Sequence, residues 1–546
     1  MKQFPRLLAC MFAATWLLAS CSSPIPDHAR YIPKDAVATA GINLKGLSKK
    51  IAWSMITGSK LFKEMQDRIP EKNAKDAMSG IEKAGIDFVN TLYVYVKTDN
   101  RFAGGNRITG LVPLSDAGQW EAYVKQVFPQ AAISQHGDHK EASLGRDMYV
   151  GWNKKLLIVM NVISSDRAEP SAGSNATGDM PAEMENAFNV SSSNSIKGNK
   201  HFTDLELEGH DVSFMLNYDQ MMSQMSSNMA EKIGMSLQST MWKDAALTSG
   251  FDFVKGKITG DMHYYMPGMK DIGAELGGTN ADKDMLDRLP TQNMDMLLDM
   301  HLSPKAIKAI LEKMSLLGTA NVALSTIGLS LDNVLDAFTG DMAIVMNDFS
   351  LRTEKERDTF MGQTVIHETQ KPSVSLTYVM KINKPTEFQK LVKLAKDNHV
   401  PQVGDGFAFP IDAHDSVYIV MSNQYAVASN KFADADAILK GINKGKMSDA
   451  AAGSAYGHPT AFYMDVQQFL KNIDPSISHS AHDSAMIIES KKLLSNISFS
   501  GGAFANDAFA YHLDINFINT DENSLINLMD FGMKMNEADK IKPSNN

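Results

Sequence analysis

Thiols are scarce in this chain, with two cysteines, Cys10 and Cys21, in 546 residues. That excludes a disulfide framework, a zinc site built on cysteine and a Cys/His nucleophile. Positive charge is short as well: 53 Lys and Arg stand against 63 Asp and Glu, a net charge of −10. A chain without a basic block argues against nucleic acid, whose affinity comes from neutralising phosphates. No window after the N-terminus holds an uninterrupted apolar run long enough for a spanning helix, which needs about 20 such residues. Phosphate-cradling G-x-x-x-x-G-K-[ST], strand-borne G-x-G-x-x-G, nucleophile-elbow G-x-S-x-G and zinc-binding H-E-x-x-H are all missing. These absences remove the well-marked enzyme classes, and no catalytic, cofactor-binding or metal residue is assigned from sequence. What is present, 44% hydrophobic and 21% charged residues, is the make-up of a folded globular chain with room for two or more domains.

The N-terminus carries the most specific signal. Lys2 and Arg6 precede an apolar stretch from Leu7 to Leu18, too short to span a bilayer and fitting a secretory leader. Leu18-Ala19-Ser20-Cys21 then resembles the bacterial lipobox. That resemblance implies removal of residues 1–20 and acylation of Cys21, the expected lipid-attachment residue. Loss of Lys2 and Arg6 leaves 51 basic against 63 acidic residues, so the acyl chains and not surface charge would hold the chain to a membrane. Residues 21–30 form a short tether. Ser22, in place of an Asp that would retain the protein at the inner membrane, favours the outer membrane.

The body reads as two copies of one unit. Five blocks recur in order: residues 36–44 with 294–302, 85–92 with 328–335, 107–112 with 375–380, 148–161 with 417–430, and 213–217 with 461–465. Collinear self-similarity of this kind marks an internal repeat. The shared element is an apolar strand that ends at Asn43 or Asn217 in the first copy, and at His301 or Asp465 in the second, and passes into an amphipathic stretch. Asn and Asp there suit helix N-caps, because the side-chain oxygen accepts an orphan backbone N–H. Ser303-Pro304 and Pro385-Thr386-Glu387 mark two further helix starts. Alternating runs such as residues 92–96 and 257–264 read as antiparallel strands with one buried face. The expectation is an α+β fold of two similar tandem units, each a mostly antiparallel sheet with helices packed on it. The boundaries follow as 31–267 for the first repeat, 268–287 for a linker, 288–520 for the second repeat, and 521–546 for a C-terminal helix and polar tail.

Three side-chain groups could carry chemistry. His136-Gly137-Asp138-His139 holds two imidazoles that could ligate zinc or copper, although Gly-Asp favours a polar hairpin turn. His479 and His482 are spaced for one helical face, and the preferred reading is a solvated loop or helix start. Methionine is frequent, 35 residues, and Met221, Met225 and Met229 recur at helical spacing beside Met222. A core-facing stripe is preferred there to a soft ligand groove or a thioether site for Cu(I). Trp120, matched by Phe388 in the second copy, favours packing over a sugar-stacking platform.

The lipobox, the Ile32-Pro33-Lys34-Asp35-Ala36 opening, the strand ending in Asn43-Leu44-Lys45 and the duplicated layout together resemble a family of uncharacterised envelope lipoproteins of Bacteroidetes type. That is a domain-of-unknown-function family of about 500 residues, and it implies an envelope location but no activity, since fold alone does not bring function. The functional expectation is a lipid-anchored cell-envelope protein, non-enzymatic, binding or scaffolding, with no cofactor and no nucleic acid. Its partner would be an unidentified envelope protein or small ligand. The alternatives are a carrier or sensor of an apolar or soft ligand in a methionine-lined cleft, and a hydrolase-type enzyme without a recognisable motif.

Overall fold

The structure, a computed structural model of the chain, describes residues 25–51, 80–98, 106–145, 148–163, 180–224, 242–360, 363–404, 406–411, 416–442, 446–477 and 480–538. Cys21, Trp53, Met225, Met229 and His479 lie outside the described residues. The fold is α+β, with antiparallel strands throughout. By contacts the chain divides into two compact units, residues 1–225 with 244–253, and residues 226–243 with 254–546.

In the first unit the strands are β1 (Ala38–Asn43), β2 (Thr91–Thr98), β3 (Asn106–Pro113), β4 (Ser134–His136), β5 (His139–Ser143), β6 (Met148–Trp152), β7 (Leu156–Ile163), β8 (Val212–Asn217) and β9 (Ala246–Val254). They pair in the order β4-β5-β6-β7-β3-β2-β1-β8-β9. Helix Ala117–Val127 starts where the Asp116 carboxylate accepts from the N–H groups of Gly118 and Gln119, 2.8 and 3.0 Å away. It buries Trp120, Val124 and Val127, an i, i+4, i+7 stripe. Trp120 and Val124 of that stripe pack with Trp152, Val150 and Leu157 of the sheet. Trp120 is thus a core residue, as the packing reading expected. Helix Met180–Phe188 buries Met180, Glu183, Met184 and Ala187, and Glu183 pairs at 2.8 Å with Arg107 of β3.

The second unit holds β10 (Lys257–Tyr265), β11 (Met294–His301), β12 (Phe338–Phe360), β13 (Gln363–Ile382), β14 (Gln402–Val403), β15 (Gly406–Pro410), β16 (Ser416–Met421), β17 (Tyr425–Ser429), β18 (Thr460–Asp465), β19 (Leu494–Ala505) and β20 (Ala508–Phe517). Their order is β14-β15-β16-β17-β13-β12-β11-β18-β19-β20-β10. Strand β10, assigned from sequence to the first repeat, pairs with β20 and belongs to this unit. The expected linker 268–287 carries helices Lys270–Gly277 and Lys283–Leu286. Met285 and Leu286 lie in this unit's largest core cluster with Leu297, Val345, Val379 and Val427. Helix Pro385–Asp397 buries Phe388 and Val392, and helix Pro304–Lys313 begins at its expected proline.

All three expected Asn and Asp caps form. The side chain of Asn43 accepts from Gly46 N–H at 2.9 Å, Asn217 from Gln220 at 3.2 Å and Asp465 from Gln468 at 2.9 Å. His301 does not cap a helix; its Nδ1 lies 2.8 Å from Asp341 Oδ1. An imidazole has no oxygen to accept the first-turn N–H groups, and the carboxylate on the adjacent strand is the better partner.

Candidate functional site

In the first unit's sheet β1 lies between β2 and β8, and its Gly41 stands opposite Tyr93 on one side and Ser213 on the other. A Cβ at Gly41 would come within 2.4 Å of Ser213 Oγ, so the missing side chain makes room for what lies above it. That is Glu206, from helix Lys200–Glu208, whose carboxylate accepts from the hydroxyls of Tyr93 and Ser213. Burial raises the pKa of Glu206, and the two hydroxyl bonds only partly offset it. The same burial, with the Glu206 charge beside it, raises that of Tyr93.

Helix Lys200–Glu208 ends at Gly209 in the left-handed conformation (φ 75°), which turns the chain into His210. Its imidazole sits between Asp252 Oδ2 at 2.7 Å and Glu208 Oε2 at 2.9 Å. Burial alone would push its pKa down, but the two carboxylates outweigh that and raise it. Next to it, buried Asp211 accepts from Phe253 N–H at 2.7 Å and pairs with Lys50. Gly41, Asn43, Lys45, Asn90, Glu206 and His210 line a pocket of about 190 Å³. Among the described residues the Glu206 carboxylate is its one acidic lining group, and Lys45 also lines it. A site of this kind can take a small ligand that donates hydrogen bonds to a partly desolvated carboxylate.

A second group forms at the β4–β5 hairpin. As the Gly-Asp pair implied, Gly137 and Asp138 make its turn, with Gly137 at φ 54° and His136 paired across from His139. Period-two alternation puts His139 and Glu141 on one face of β5. His139 Nε2 is 2.7 Å from Glu141 Oε1, and both side chains are buried. Glu185 Oε2, from helix Met180–Phe188, is 3.9 Å from the same nitrogen. Glu141 Oε2 accepts from Tyr149 OH at 2.6 Å, and Asn189 donates to Glu185 Oε1 at 2.5 Å. The two histidines weighed together from sequence do not share a ligand position; His139 meets two carboxylates instead. Among the described residues, His139, Glu141 and Glu185 are the one trio placed to share a cation.

The chain belongs to the DUF4836 family. The family model, Domain of unknown function (DUF4836), matches residues 29–525, which takes in both units. No curated protein matches the chain. Among solved structures, two crystal forms of TP0453 are similar to it, form I at 8% identity and TM-score 0.25 and form III at 10% and 0.25. They cover 48% and 46% of this chain and 82% and 88% of theirs, a likeness too slight to carry an argument.

The other sequence candidates in this DUF4836 chain fall away from both groups. His482 stands in the first turn of helix Ala481–Leu493, where Ser480 accepts from Asp483 N–H at 3.0 Å, the expected helix start. Met221 and Met222 are half-buried on helix Tyr218–Gln224. A larger groove of about 500 Å³ beside that helix is lined by Asn217, Asp219, Gln220 and His201 and, among the described residues, by no methionine. No helix among the described residues is long and apolar enough to cross a membrane. Sequence reasoning missed Tyr93, Glu206 and Ser213, since they lie far apart in the chain and only their strand partners bring them together.

Proposed function

We propose that this DUF4836 protein is a lipid-anchored, non-enzymatic binding module of the cell envelope. The anchor is Cys21 at the end of the Leu18-Ala19-Ser20-Cys21 lipobox, in a membrane we take to be the outer one. The binding site is the Gly41 pocket of the first unit. One observation carries the binding reading: a desolvated Glu206 carboxylate is held by two hydroxyls at the floor of a small pocket. The ligand class that follows is a small polar molecule carrying an amine or hydroxyl donor. Native mass spectrometry of untagged protein, extracted gently from its own membrane, tests this. We expect a reproducible added mass beyond the acyl groups, lost in Gly41→Val, whose side chain fills the pocket floor. A mass identical in both proteins would remove the pocket from the reading.

A scaffolding role rests on a separate observation. Between Ser350↔Ser373 and Phe360↔Gln363, strands β12 and β13 pair with one another beyond the reach of β11 and β17. Among the described residues such a two-stranded arm has two open edges that another chain could extend. Its cross-strand ion pairs, Lys355 with Glu368 and Lys371 with Glu354, make it polar. Shortening the arm by deleting residues 352–371 should abolish recovery of a cross-linked envelope protein if the arm is the docking element.

The tandem arrangement is also part of the proposal. The order β4-β5-β6-β7-β3-β2-β1-β8-β9 matches β14-β15-β16-β17-β13-β12-β11-β18-β19 position for position. This supports descent from one duplicated unit. Residues 254–546 expressed alone should then unfold cooperatively, and a disordered product would count against the duplication.

A further inference from the structure

We propose that the β4–β5 hairpin and helix Met180–Phe188 form a zinc site, with His139 Nε2, Glu141 Oε1 and Glu185 Oε2 as ligands. One imidazole nitrogen and two carboxylate oxygens are a donor set suited to Zn²⁺. Tetrahedral bonds of about 2.0–2.1 Å place ligand atoms about 3.3 Å apart. The two distances here, 2.7 and 3.9 Å, bracket that value. Small rotations of Glu141 and Glu185 would therefore seat an ion without moving the backbone.

The surrounding groups already orient the ligands. Tyr149 holds the second oxygen of Glu141 and Asn189 the second oxygen of Glu185, so each carboxylate presents its remaining oxygen to His139. Asp138 Oδ1, exposed and 3.6 Å from His139 Nδ1, lies beyond hydrogen-bond reach of that nitrogen. Phe188 stacks on the His139 ring at 4.3 Å and shields it. The backbone carbonyls of Gly137 and His139 both accept from the Gln135 side chain at 2.9 Å, which pins the hairpin. Helix Met180–Phe188 is itself held by the buried Arg107–Glu183 pair, so Glu185 is carried on a fixed element. The side towards solvent, where Glu185 and His136 are exposed, leaves a fourth coordination position open.

Burial supplies a reason for the cation. His139 and Glu141 are 2% and 1% exposed, and two carboxylates around one imidazole leave an excess of negative charge that a divalent ion would neutralise. The fold does not require the trio. In the second unit's pairing order the place of β5 is taken by β15, where Phe407, Ala408 and Phe409 stand, and Phe407 is a core residue.

The test uses the full untagged chain, stripped with chelator and exchanged into metal-free buffer. Zn²⁺ is titrated against a chromophoric competitor, and bound metal is counted by mass spectrometry. We expect one Zn²⁺ per chain, a raised thermal midpoint, and tetrahedral ligand-field bands when Co²⁺ is substituted. Glu185→Gln, at an exposed position that folding tolerates, should weaken Zn²⁺ on the order of 100-fold, as loss of a ligand exceeds the 10- to 100-fold cost of losing an outer partner. His139→Gln should abolish binding. Absence of a stoichiometric ion in the wild type, or equal affinity in Glu185→Gln, would overturn the site. Neither result bears on the Gly41 pocket, which shares no residue with it.

Discussion

Asp299 offers the sharpest test of the packing described here. It stands at the middle of β11, opposite Ala343 and Ala461, fully buried, and neither carboxylate oxygen has a hydrogen-bond donor among the described residues. Burial pushes its pKa up from the ordinary carboxylate range to about 8. The native chain therefore keeps a proton that the unfolded chain releases between about pH 4 and pH 8, and raising the pH through that window favours unfolding. One pH unit is worth about 1.4 kcal/mol for a single proton. From pH 5 to pH 7 the wild type should thus lose about 2–3 kcal/mol relative to a chain that lacks the carboxyl. Asp299→Ala removes the titrating group at a cavity cost of about 1 kcal/mol that does not vary with pH. Asp299→Asn keeps a buried polar group but does not titrate. Urea unfolding of all three proteins, followed by far-UV circular dichroism at the two pH values, reads the effect. Both variants should gain on the wild type by the same 2–3 kcal/mol as pH rises, because Asp295 and Asp341 titrate alike in all three chains. A difference that stays flat with pH would show that Asp299 is solvated or hydrogen-bonded, and would refute the reasoning.

Glu183→Ala should destabilise the first unit by up to about 3–5 kcal/mol, since it removes the carboxylate paired with buried Arg107; thermal unfolding at low and high salt should give the same loss. His210→Gln tests the same sign of linkage in a group that stabilises when charged: the raised pKa of His210 contributes stability that is complete below the usual imidazole value and fades as pH rises through the folded one. The variant's deficit, on the order of 1 kcal/mol at acidic pH, should shrink in alkaline buffer, and a deficit that grows there would sink the assignment. Cys21→Ala should move the protein from the membrane to the soluble envelope fraction, and retention on the membrane would remove the lipid anchor.

What could be read directly from sequence was whatever depends on near neighbours. Caps at Asn43, Asn217 and Asp465 need only a side chain and the N–H groups two or three residues on, so they were legible. The same holds for the helices opened by Pro304 and Pro385, and for the Gly137-Asp138 turn. The α+β class followed from the switch between the two hydrophobic periods. At the corresponding strand end His301 meets Asp341, which comes from a different strand and could not be read from near neighbours.

Groupings across the chain were set by strand order and register alone. Glu141 could have been joined to His139 by its two-residue spacing, but Glu185 is 44 residues further along and arrives on a helix held by Arg107. Tyr93, Glu206 and Ser213 converge because β1 lies between β2 and β8 and carries a glycine at the crossing point. At the corresponding place between β12 and β18, β11 carries Asp299, with alanines where Tyr93 and Ser213 stand. Local propensity gave the elements, because hydrogen bonds and side-chain periodicity act within a few residues. Which carboxylates lose their water, and beside which groups, was decided only when distant strands came together.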